Sequence, residues 1–114
     1  MINGVHLLLY SQDAAADRAF IRDVLGWPSV EDHPGWLIFK TPVSELGVHP
    51  TDGPPHHGLY LMCEDLDAAL ARLTGRGVTV ARDPADEGFG RIAYLEVPGL
   101  GELGLYEPSH PTPR

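Results

Sequence analysis

At 114 residues the chain has room for one compact domain that buries a core without disulfide staples. Eight Lys plus Arg against sixteen Asp plus Glu give a formal charge of −8, with Lys40 the sole lysine, which argues against nucleic acid or an anionic membrane as partner. A single cysteine, Cys63, excludes an internal disulfide, and no apolar stretch reaches the length of a membrane span, so a cytoplasmic location is expected.

In chain order, residues 5–10 form an apolar run, Val5-His6-Leu7-Leu8-Leu9-Tyr10, that reads as a strand from its length and the polar turn after it. The run is too short for a signal-peptide core and lacks a basic flank. Asp13 stands where a helix N-cap belongs. Residues 14–25 then carry Ala16, Phe20, Ile21, Val24 and Leu25 at helical spacing until Gly26 and Pro28 end the pattern. Strands are expected at 36–40 and 46–49. Residues 50–58 hold no apolar side chain and read as a linker. Beyond it, 59–63 reads as a strand, Asp65 as a second N-cap, and 66–76 as a helix with Leu66, Ala69, Leu70 and Leu73 on one face, closed by Gly77. Strands follow at 78–81, 92–96 and 103–107. The tail 109–114, with two prolines, is expected to fray.

The two halves repeat one another. Glu45-Leu46-Gly47-Val48-His49 closes the first half as Glu102-Leu103-Gly104-Leu105-Tyr106 closes the second, and the opening runs before Asp13 and Asp65 also correspond. A period of about fifty residues predicts two copies of one βαβββ unit. The fold class is therefore α+β: a single domain over 1–114 with modules at about 4–50 and 57–108 and a tail at 109–114. Each module must cover an apolar face and its sheet edges, so a homodimer is expected.

These residues resemble the vicinal oxygen chelate superfamily, which includes glyoxalase I, bleomycin-resistance proteins and extradiol dioxygenases. The likeness is carried by His6 through Asp13, by Arg18-Ala19-Phe20-Ile21-Arg22-Asp23-Val24-Leu25-Gly26-Trp27, and by Glu64-Asp65-Leu66-Asp67-Ala68-Ala69-Leu70-Ala71-Arg72-Leu73. The stretch Gly88 to Gly99 adds to it. The resemblance implies a curved mixed sheet wrapped around a cleft. It also implies a divalent metal held by four His or Glu side chains, one near the start and one near the end of each module. Those positions fall on His6, Gly47, Gly58 and Gly104, so one ligand of four remains. No cofactor is expected. The alternative is a divalent metal displaced toward His49 and Glu102, two residues and about 6.7 Å of strand from the glycines, against ligand distances of about 2.0–2.2 Å.

Alternation along the strands places His6, Tyr10, His49, Tyr60, Met62, Glu102 and Tyr106 on the cleft face and turns His57 away. Cys63 is expected under a helix, and Phe89, Trp27 and Trp36 as packing or rim residues. Two readings of function follow. In the first, the cleft binds a small aromatic or cationic molecule without metal, as bleomycin-resistance proteins do, with acidic groups on an aromatic floor. In the second, His6 or His49 is a general base partnered by Glu102, for a lyase, isomerase or dioxygenase reaction of the vicinal oxygen chelate type.

Overall fold

The computed structural model describes Met1 and residues 3–113. Helix α1, Ala14–Phe20, starts where Asp13 accepts a hydrogen bond from the Ala16 N–H at 3.1 Å. It then widens into a π-helical turn, Ile21–Leu25, which ends at Gly26 with φ of 72°, a left-handed conformation that favours glycine. A short antiparallel pair follows, β1 (Ser29–Glu31) with β2 (Leu37–Phe39).

The second module is a complete βαβββ unit: β3 (Tyr60–Met62), α2 (Leu66–Thr74), β4 (Val80–Asp86), β5 (Gly90–Val97) and β6 (Gly101–Pro108). Its mixed sheet runs β3-β6-β5-β4, with β3 parallel to β6 and the other pairs antiparallel. The start of α2 is held twice: Asp65 accepts from the Ala68 N–H at 3.1 Å, and the Glu107 carboxylate from the Leu66 N–H at 2.9 Å. Its apolar stripe buries Leu66 and Leu70 against Val78, Ala93, Leu95 and Leu105. Replacing a fully buried Leu66 by alanine would cost about 2–5 kcal/mol. Phe20 and Val24 pack on this same core, so the first helix leans on the second module.

Several expectations are corrected. Residues 5–10 and 46–49 are not strands, because neither finds a ladder partner among the described residues. Their side chains stand in solvent: Val5 is 87% exposed, Leu46 92% and Val48 91%. The short β1 was not anticipated beside Pro28. The predicted strand at 78–81 begins two residues later and runs on to Asp86, carried past Pro84 by two irregularities in its pairing with β5. The tail does not fray at once: the Ser109 N–H donates to the Phe89 carbonyl at 3.0 Å. The radius of gyration is 15.0 Å, against about 13 Å for a compact domain of this length. The architecture is otherwise α+β, as expected.

Candidate functional site

The site begins with the parallel pairing of β3 and β6, which sets Tyr60 opposite Gly104 and Met62 opposite Tyr106. A Cβ added at Gly104 would collide with the Tyr60 ring, so the glycine exists to let that ring lie flat across β6. Rings continue from there. Tyr60 meets Tyr106 edge-on at 6.4 Å, Tyr106 meets Phe89 at 5.9 Å, and Phe89 meets His49 at 6.5 Å. The His110 ring lies 5.8 Å from Tyr106, with its Nε2 3.8 Å from the Glu45 carboxylate. Burial pushes the Tyr106 hydroxyl above its ordinary pKa, and Glu45 adds to the shift.

Past Tyr60 the face becomes charged. Arg82 on β4 lays its guanidinium 3.6 Å over the Tyr94 ring and reaches Glu102 at 2.7 Å. The pair is exposed and contributes about 0–1 kcal/mol to stability, so its consequence is where it puts charge. Burial raises the Tyr60 pKa, the neighbouring Tyr94 raises it further, and Arg82 draws it back. The phenol is therefore neutral at pH 7 and available as a donor.

The predicted residues are only partly gathered. Tyr60, Tyr106 and His49 share the ring path, with Glu102 beyond Tyr60 beside Arg82. Met62 is half-buried at the edge of a small hollow with Val43, Ser44, Glu45 and Pro113. His6 and Tyr10 are exposed on the unpaired 5–10 segment and make no hydrogen bond or ring contact among the described residues. The proposed base and its partner are not brought together, since His49 touches Phe89 whereas Glu102 is held by Arg82. Cys63 lies on the core side, packed against the cluster beneath α2, and burial pushes its thiol up to about 11.

Arg82, Tyr94 and His110 were missed. Tyr94 was legible, because β5 alternates Ala93, Leu95 and Val97 inward with Tyr94 and Glu96 outward. Arg82 was not, since it lies just beyond the predicted strand. A separate open cavity of about 510 Å³ lies between the π-helical turn and the sheet, with Phe20, Val24, Val78 and Val97 as its apolar floor. It adjoins the aromatic face through Glu102 and Glu96.

The donor set does not fit the metal that the resemblance implies. Gly47, Gly58 and Gly104 bring no side-chain donor, and among the described residues no three His, Cys, Asp or Glu side chains converge. At Gly104 the Tyr60 ring fills the space a ligating carboxylate would need.

Residues 5–110 match the Glyoxalase/Bleomycin resistance protein/Dioxygenase superfamily. The chain belongs to this superfamily. No curated protein matches it. Among solved structures, this glyoxalase-superfamily chain is similar to TnmS3, an antibiotic binding protein from Streptomyces sp. CB03234. Identity is 30% over 95% of this chain and 98% of that one, with a TM-score of 0.68. A glyoxalase/bleomycin resistance protein from the same Streptomyces is 29% identical over 89% and 95%, with a TM-score of 0.54. A lactoylglutathione lyase from Agrobacterium tumefaciens shares the fold at 19% identity over 91% and 92%, with a TM-score of 0.64.

Proposed function

We propose that this protein binds a small, flat organic molecule on the aromatic face around Tyr60, without the family's metal and without turning it over. The observation that carries the reading is the Tyr60 ring lying across Gly104, an aromatic floor at a position where the chelating members need a carboxylate. Two further points support it. The 30% identical structure is an antibiotic binding protein, and the rings from His49 to Tyr60 offer stacking surface with few polar groups. Catalysis by His6 or His49 with Glu102 would need contacts that are not made among the described residues of a single chain, where His49 meets Phe89 and Glu102 meets Arg82.

The working unit in this reading is a homodimer. Val5, Leu7, Leu8, Leu9, Tyr10, Val43, Leu46 and Val48 are all exposed, on two segments that have no strand partner among the described residues. The internal repeat aligns Leu8 with Tyr60 and Gly47 with Gly104, so the two segments carry the pattern that pairs as β3 and β6 in the second module. A second copy that ordered them would bring His6 and Tyr10 to a cleft.

The test is a thermal-shift screen of flat aromatic metabolites with EDTA present. A hit should raise the melting temperature by mass action and be recovered unchanged. A hit that needs added metal, or is converted to product, refutes the reading. Sedimentation showing only monomer at micromolar concentration refutes the dimer.

A further inference from the structure

We infer that Arg82 is a specificity-determining residue that shuts cationic ligands out of the aromatic face, so that the ligand class is uncharged aromatic molecules. The inference rests on the binding reading above and narrows it. An acidic, aromatic cleft would ordinarily suit a cation, which gains from both carboxylates and ring faces. Here that seat is taken. The Arg82 guanidinium lies 3.6 Å over the Tyr94 ring, the distance a ligand cation would seek, and its Nη2 is 2.7 Å from Glu102. Glu96 stands directly across the β5–β6 ladder from Glu102 on the same face. Two like charges so placed repel, and Arg82 relieves them from within the chain. A cationic ligand must displace Arg82 or bind beside it. An anionic ligand meets Glu96 and Glu102. An uncharged ring escapes both costs and still stacks along Tyr60 and Tyr106, which are 6.4 Å apart.

The chain's overall charge of −8 does not override this arrangement. Ions screen charges beyond about 10 Å at 0.1 M salt, so the nearest groups decide.

The experiment uses one scaffold in three charge forms: 2-naphthol, 2-naphthoate and a naphthylmethylammonium ion, titrated calorimetrically at pH 7. The wild type should bind naphthol most tightly. Arg82→Gln should raise affinity for the ammonium probe relative to naphthol about tenfold, a change of about 1.4 kcal/mol. Arg82→Lys keeps the positive charge and should keep excluding the ammonium probe, which separates a charge effect from lost packing. A wild type that prefers the ammonium probe overturns the filter. An unchanged ranking in Arg82→Gln also overturns it and leaves the binding reading standing. If none of the three binds the wild type, the binding reading fails and the filter fails with it.

Discussion

The carboxylate of Asp17 accepts a hydrogen bond from the backbone N–H of Gly99 at 2.9 Å, eighty-two positions along the chain. Its other oxygen accepts from the Ser11 hydroxyl, and the Gln12 N–H donates to the Gly99 carbonyl at 3.0 Å. Asp17 is buried, and its charge is met by these donors. This lock fastens the start of α1 to the β5–β6 turn. Asp17→Ala should therefore destabilise the protein by about 2–3 kcal/mol, because the Gly99 N–H loses a charged acceptor. A Cβ at Gly99 would strike Ser11 and Asp17, so Gly99→Ala should break the same contacts. Urea unfolding of both variants and their double should show a combined cost well below the sum.

Gly104→Ala should cost about 1–3 kcal/mol, because the new methyl group and the Tyr60 ring want the same space. Adding Tyr60→Ala should recover much of that loss. Equal losses for Gly104→Ala in both backgrounds, measured by denaturation, would show that the ring is not what the glycine accommodates.

For any ligand found in the screen, Tyr60→Ala and Tyr106→Ala should each raise Kd by about tenfold, the loss expected when one stacking ring is removed. His57→Ala should leave it unchanged, since that exposed side chain has no contact with the ring path among the described residues. Calorimetry on the three variants decides it. Indifference to both tyrosines would remove the aromatic face as the site.

Cys63 should be a slow thiol. With its pKa pushed up to about 11 by burial, then by Glu107 and Asp65, only about one thiol in a thousand is ionised at pH 8, and the thiolate is the reacting form. The folded protein favours the neutral thiol. That contribution to stability is present below about pH 9, the ordinary thiol value, and is lost as pH rises toward 11. Iodoacetamide labelling should accelerate across that window, and the urea midpoint should fall across it.

Elements that satisfy themselves locally were legible in the sequence. Asp13 and Asp65 cap their helices as their positions announce, and the apolar stripe of Leu66, Leu70 and Leu73 marks the face that meets the core. What failed was pairing. The run from Val5 to Tyr10 has strand composition, yet a strand exists only where another backbone meets it, and composition cannot say whether that backbone is in the same chain. The site divides the same way. Parity identified Tyr60 and Tyr106 on one face, but the role of Gly104 lies in a ring from another strand, and the pairing of Glu102 lies with an arginine past the expected end of β4.

The unpartnered segments 5–10 and 46–49 turn association into something that can be timed. In β5 the amide protons lie between the ladders to β4 and β6, so they exchange with heavy water only when the sheet opens. Those of 5–10 have no such shelter in a lone chain and should exchange within seconds. Slow exchange of the Leu7, Leu8 and Leu9 amides at high protein concentration, vanishing on dilution, would report a second chain directly. The same six residues would then act as a gauge of how much of the protein is paired at any moment.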